Sequence, residues 1–137
     1  MKKILIALLF LGFISSCSTN GISNNNPYIP SYSINLSINT DLPAYTKLTF
    51  ASNAIYYAGV GAKGIYIFNT GSGYNAFDAA CPNQSLSACS TMTLKGINLV
   101  CPCDNEEYSL FSGLSTLKYP LKQYRVEING AIIRVTN

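Results

Sequence analysis

The chain contains no histidine and no tryptophan, and only 11% of its residues are charged. Without histidine there is no Ser-His-Asp or Cys-His nucleophile pair. No imidazole is available to a metal either. The nine Lys and Arg and six Asp and Glu form no basic stripe, so nucleic acid is not an expected partner. Long apolar runs are also missing. The longest, Ile4 to Ile14, has eleven residues, where a membrane-spanning helix needs about twenty. The rest of the sequence offers no amphipathic helix of useful length, no repeat and no heptad pattern. What remains is alternation, glycine turns and cysteine.

The N-terminus reads as an export address. Lys2 and Lys3 precede the apolar run, and Ile14-Ser15-Ser16-Cys17 closes it. A charged start, a short apolar stretch and small residues make a secretory signal peptide, here residues 1–16. Small residues followed at once by cysteine resemble the lipobox of bacterial lipoproteins. That resemblance implies cleavage before Cys17, a diacylglycerol on its sulfur and an acylated amine. It places the product in the bacterial cell envelope, exported from the cytoplasm and held to a membrane by its lipid. More than one acyl chain on one residue anchors stably. Removing sixteen of 137 residues leaves 121, enough for one domain. Loss of Lys2 and Lys3 leaves seven basic against six acidic residues, so most of the net positive charge belongs to the signal peptide. Residues 17–26 are polar and small after Cys17, and read as the lipidated cysteine plus a flexible tether. Residues 27–137 are the expected folded domain.

The domain reads as all-β. Tyr32, Ile34, Leu36 and Ile38 alternate with polar residues, the mark of a half-buried strand. Tyr45 to Phe50 is a second, weaker strand candidate, and Ile55 to Tyr57 a short third. Ile65 to Asn69 and Tyr74 to Ala79 flank a glycine turn, Thr70 to Gly73. Ile97 to Val100 leads into Cys101. Tyr124, Val126 and Ile128 alternate ahead of Asn129-Gly130, a strong hairpin cue, and Ala131 to Val135 returns. About eight to ten short strands indicate a small antiparallel sandwich or barrel. The glycine-rich stretch Gly59 to Gly64, with Lys63, lacks the Gly-Lys-Ser/Thr ending of a phosphate loop and is followed by strand-like residues. It therefore reads as a hairpin turn. Ten tyrosines raise the question of a sugar surface, but most lie in strand-like runs where aromatics are ordinary β formers.

Every cysteine after Cys17 falls between Cys81 and Cys103. Cys81-Pro82-Asn83 opens one loop, Cys89 follows it, and Cys101-Pro102-Cys103-Asp104-Asn105 forms a second loop. Paired cysteine loops hold a metal or are stapled by disulfides. Four cysteines allow three pairings, and the count alone does not choose among them.

These loops resemble the Rieske iron–sulfur domain. That family carries Cys-x-His and Cys-x-x-His loops, whose two cysteines bind one iron of a [2Fe–2S] cluster and whose two histidines bind the other. Its cytochrome bc type has Cys-Pro-Cys-His in the second loop, and an extra cysteine after the first loop that pairs with the middle cysteine of the second. Flanking pieces match too. Tyr74 to Asp78 fits the strand feeding the first loop, Glu107 to Gly113 the hairpin after the second, and Tyr124 to Val126 with Asn129-Gly130 the terminal hairpin. The resemblance implies a Rieske-like fold over roughly residues 55–135. It makes Cys81, Asn83, Cys101 and Asp104 the cluster-equivalent positions, and Cys89–Cys103 a disulfide. Asn83 and Asp104 stand where the ligand histidines belong, and Asn105 where a glycine is expected. A standard Rieske centre is thereby excluded.

Three readings follow for the loops. In the first, the site holds no cofactor. Cys81 and Cys101, neighbours in the parent site, are joined as well, and the domain is a non-enzymatic binding or structural module facing an envelope protein. In the second, four thiols hold zinc or an atypical [2Fe–2S] cluster for electron transfer. In the third, the bridges exchange, although Asp104, Glu106 and Glu107 oppose thiolate formation. Those three carboxylates also invite an acid–base or cation-binding role, against which stands an ordinary solvated hairpin rim.

Overall fold

The computed structural model describes residues 25–137. The signal peptide, Cys17 and most of the tether lie outside the described residues. Asn26, at the boundary drawn between tether and domain, is fixed: its Nδ2 donates to the Pro82 carbonyl at 2.8 Å, and its Oδ1 accepts from the Tyr28 and Ile29 amides.

Nine strands occur among the described residues: β1 (Asn35–Asn39), β2 (Ala54–Tyr57), β3 (Ile65–Asn69), β4 (Tyr74–Asp78), β5 (Thr93–Lys95), β6 (Asn98–Val100), β7 (Glu107–Ser109), β8 (Gln123–Asn129) and β9 (Ile132–Thr136). Six form a curled sheet in the order β1-β9-β8-β4-β3-β2, and three form a small sheet, β5-β6-β7. All pairings are antiparallel. The all-β architecture expected from alternation is what the chain adopts. No described helix is long and apolar enough to cross a membrane.

Strand β3 is buried along its whole length and explains the layering. Successive side chains point to opposite faces. Ile65 and Ile67 enter one core with Leu36, Ile38, Ile133 and Val135, inside the curl of the large sheet. Tyr66 and Phe68 enter a second core with Phe77, Leu99, Tyr108 and Leu110, between the large sheet and the small one. Cys81 and Cys101 belong to this second core. The small sheet thus shares this core with both buried cysteines, and its strand β6 leads directly into the second cysteine loop.

One expected strand is corrected. Tyr45 to Phe50 holds a single 3-10 turn, Thr46–Thr49. The Leu42 carbonyl accepts from the Tyr45 and Thr46 amides, and the Tyr45 carbonyl from the Leu48 amide, so the backbone closes on itself instead of pairing. Only Leu48 in this turn is buried. Its carbonyl accepts from Asn69 Nδ2 at 2.7 Å and Tyr74 Oη at 3.1 Å, which locks the turn onto the sheet.

The Gly59 to Gly64 stretch connects β2 to β3 as a hairpin loop. Its amides do bind an anion, but one from within the chain. The fully buried Asp78 carboxylate accepts from the Ala62 and Lys63 amides at 2.7 and 3.3 Å, the Ala80 amide at 2.9 Å and Tyr124 Oη at 2.7 Å. Gly61 allows that approach: with φ at +71°, a Cβ there would lie 2.5 Å from Asp78 Oδ2.

Candidate functional site

Two strands deliver the cysteines. Strand β4 runs on through Ala79 and Ala80 into Cys81, and β6 ends one residue before Cys101. The first loop is closed by the Cys81 amide donating to the Ser90 carbonyl at 2.8 Å and the Met92 amide to the Ala79 carbonyl at 2.7 Å. The second is closed by the Asn105 amide on the Cys101 carbonyl and the Cys101 amide on the Glu106 carbonyl. Asn105 takes φ +61°, a left-handed conformation that asparagine tolerates better than most residues. A glycine would adopt the same conformation freely.

The structure joins Cys81 to Cys101, with Cα atoms 5.6 Å apart, and Cys89 to Cys103, at 5.2 Å. The two bonds sit at different depths. Cys81 and Cys101 are buried, Cys103 is half-buried and Cys89 is exposed. Three sulfurs, those of Cys81, Cys101 and Cys103, lie within 4.8 Å of one another. Gln84 Nε2 donates to Cys101 Sγ at 2.9 Å, and Ser87 Oγ lies 3.3 Å from Cys89 Sγ and 3.8 Å from Cys103 Sγ.

Asn83 is a clip between loops. Its Nδ2 donates to the Tyr119 carbonyl at 2.8 Å and to Tyr108 Oη at 2.9 Å, while its Oδ1 accepts from the Tyr119 amide at 2.9 Å. A planar amide can satisfy the backbone of one residue from both sides in this way. Burial pushes the Tyr108 phenol above its ordinary range. Asp104 is exposed and turned back on its own loop, its Oδ1 accepting from the Glu106 amide at 3.0 Å. Glu106 holds the amide and hydroxyl of Thr116 at 2.9 and 2.7 Å. Glu107 takes Lys95 and Asn98. Hydrogen bonds from Thr116 lower the Glu106 carboxyl, and those from Lys95 and Asn98 lower Glu107. The three carboxylates serve separate partners and do not converge on a common point.

A [2Fe–2S] group of the Rieske kind does not fit these residues. It needs two thiolates and two imidazole nitrogens. The cysteines that would supply the thiolates are bonded to each other. Asn83 spends both of its polar atoms on Tyr108 and Tyr119, and Asp104 offers one exposed carboxylate with an oxygen already engaged. Of the four cluster-equivalent positions, Cys81 and Cys101 are joined covalently, Asn83 is tied to Tyr108 and Tyr119, and Asp104 stays on its own loop.

Reading the sequence did not find Gln84, Thr116 or Tyr119. Gln84 lies in the first cysteine loop, between Asn83 and Cys89, and carries no motif of its own. Tyr119 acts on Asn83 through its backbone, which leaves no signature in residue type, and Thr116 adds an ordinary hydroxyl to its amide.

No protein-family model matches the chain, and no curated protein does. Solved structures resemble it in fold. One is a chain of the complex of reduced oxygenase and oxidized ferredoxin in carbazole 1,9a-dioxygenase, 20% identical, with a TM-score of 0.51 over 77% of this chain and 94% of that one. Another is the ferredoxin of carbazole 1,9a-dioxygenase from Nocardioides aromaticivorans IC177, 14% identical, with a TM-score of 0.50 over 77% of this chain and 98% of that one. The fold is Rieske-like, as the cysteine loops implied.

Proposed function

We propose that this chain is a lipid-anchored, non-enzymatic module of the bacterial cell envelope, in which a Rieske-like fold serves as a stapled scaffold. The observation that carries this reading is the double use of the former ligand positions. Cys81 and Cys101 bond to each other, and Asn83 is spent on Tyr108 and Tyr119. Export supports it, since disulfides persist outside the cytoplasm. The anchor rests on the lipobox-like Ile14-Ser15-Ser16-Cys17, and the partner on such an anchor is another envelope protein.

The deciding measurement is iron, sulfide and free-thiol content of the full chain purified without oxygen. The expected result is neither iron nor sulfide, and no free thiol at Cys81, Cys89, Cys101 or Cys103. About two irons and two sulfides per chain would overturn the reading in favour of electron transfer through an atypical cluster. The proximity of the Cys81, Cys101 and Cys103 sulfurs is the one observation that favours that rival.

A further inference from the structure

The two bonds stand in series. Cys89 is open to solvent, Cys103 is half-buried, and Cys81 and Cys101 are 1% and 0% exposed. Cys103 Sγ lies within 4.8 Å of both sulfurs of the inner bond. An external thiol can reach the outer bond at Cys89, whereas the inner bond has no comparable access. Once the outer bond opens, Cys103 is no longer held by Cys89. Rotation about its side chain then has little distance to cover before an attacking separation of about 3–3.5 Å.

We propose that the two disulfides form an exchange relay that takes two electrons from a dithiol protein at the surface and carries the bond opening inward, leaving one thiol at the surface and one in the buried core. This rests on the cluster-free, disulfide-paired state proposed above. A thiolate of the donor attacks Cys89 Sγ, the Cys89–Cys103 bond breaks, and its electron pair leaves on Cys103. The Cys103 thiolate then attacks Cys81 Sγ. The Cys81–Cys101 bond breaks, and the electron pair leaves on Cys101, which takes a proton. The donor's second thiol resolves its mixed disulfide with Cys89. The donor ends as a disulfide, its two protons ending on Cys89 and Cys101, and this chain keeps one bond, Cys81–Cys103.

Two contacts give the relay its direction. Gln84 Nε2 donates to Cys101 Sγ at 2.9 Å, so the sulfur expelled in the second step already holds a hydrogen-bond donor. Stabilising the leaving thiolate speeds exchange. Attack on Cys101 instead would close a ring across Cys101-Pro102-Cys103 and bring one residue's sulfur against another two positions away, a poor disulfide geometry. Ser87 Oγ, beside both Cys89 and Cys103 sulfurs, is placed to serve the first step. The two cysteine loops, residues 81–89 and 101–105, contain no Lys or Arg to favour thiolates, and these neutral donors take that part.

The test uses the full chain and one molar equivalent of a phosphine reductant. Acid quenching, maleimide labelling and tandem mass spectrometry then locate thiols and bonds. The expected product carries label on Cys89 and Cys101 and a Cys81–Cys103 link. Label on Cys89 and Cys103, with Cys81–Cys101 intact, would overturn the relay. Cys89→Ser provides the same test with no reductant. Cys103 is then free, and label is expected on Cys101 as well as Cys103; label confined to Cys103 argues against exchange. In Cys89→Ser/Cys103→Ser, reduction of the inner bond should slow roughly tenfold or more, and an unchanged rate would also refute the relay. Iron and sulfide in the purified chain would count against the cluster-free reading itself, a different failure from a misplaced label.

Discussion

At the residue scale, Asn83 does structural work in the first cysteine loop. It ties that loop to Tyr119 and Tyr108. Asn83→Ala should therefore cost about 1–3 kcal/mol, because the Tyr119 amide and carbonyl lose partners in a half-buried place. Urea denaturation monitored by far-UV circular dichroism measures this, and a change under a few tenths of a kcal/mol would mean that water replaces the clip. Asn83→His should cost as much as Asn83→Ala, since an imidazole cannot donate to and accept from one peptide group as a planar amide does. The contrast with the cysteines shows what a sequence makes legible. Cys81, Cys89, Cys101 and Cys103 announce themselves by type and spacing, and the resemblance they carry supplied the pairs that the structure joins. The clip did not announce itself, because its partners lie 25 and 36 residues away and Tyr119 contributes only backbone. Asn105 was legible only as a missing glycine, and its φ of +61° is a conformation that asparagine also reaches.

At the element scale, alternation was readable wherever one face of a strand meets a core. Strand β1 buries Leu36 and Ile38 and exposes Asn35 and Ser37, as its pattern implies. Strand β5 was not readable, because all three of its residues are exposed and no period marks it. It exists as an edge, held by pairing with β6. The turn at Thr46–Thr49 was misread as a strand because one buried leucine among polar residues fits either period. The β2–β3 loop shows how an element can depend on a distant carboxylate. Asp78 satisfies the Ala62, Lys63 and Ala80 amides and the Tyr124 hydroxyl from a fully buried position. Asp78→Ala should cost about 3 kcal/mol or more by leaving those donors unpaired. Hydrogen exchange should show the Ala62 and Lys63 amides losing protection first. An unchanged denaturation midpoint would refute this role. The outer staple can be valued likewise. It closes a loop between residues 14 apart in sequence, so Cys89→Ala/Cys103→Ala should cost about 3 kcal/mol in the loop-entropy picture, readable as a lowered urea midpoint. The exposed Lys95–Glu107 pair belongs at the other end of the scale, because solvent screens a surface ion pair and leaves it little to contribute.

At the scale of the whole molecule, the absence of histidine becomes a statement about pH. Without imidazole, none of the described side chains has an ordinary pKa between about pH 5 and 8. The four described cysteines are bonded and do not titrate. Stability should therefore be nearly flat across neutral pH, and the groups that bend it lie at the two ends. On the alkaline side, burial raises the phenols of Tyr66, Tyr108 and Tyr124, the last further by the Asp78 carboxylate it donates to. A raised folded pKa means that the unfolded chain loses these protons first. Their contribution is fully present below the ordinary phenol value of 10.0 and is lost as pH rises beyond it. Lys122 acts the other way. Burial lowers its ammonium against the partial support of Asp78, so the folded state carries a penalty that fades as pH climbs towards the ordinary lysine value. Three phenols against one ammonium leave a net fall. On the acid side, Glu106 and Glu107 are lowered by Thr116 and Lys95 respectively. The stability they give is present above their ordinary pKa of 4.5 and is lost as pH falls through the lowered values. Glu107 is exposed and Glu106 only half-buried, so this limb should shrink with added salt. Urea midpoints at half-unit steps from about pH 3 to pH 12 test the whole profile. A plateau through neutrality, a shallow salt-sensitive acid limb and a steep alkaline limb are expected. Tyr124→Phe should soften the alkaline limb, because it removes the buried phenol that must otherwise ionise against Asp78. A step near pH 6.5, with no imidazole to cause it, would mean that a group outside residues 25–137 is coupled to folding.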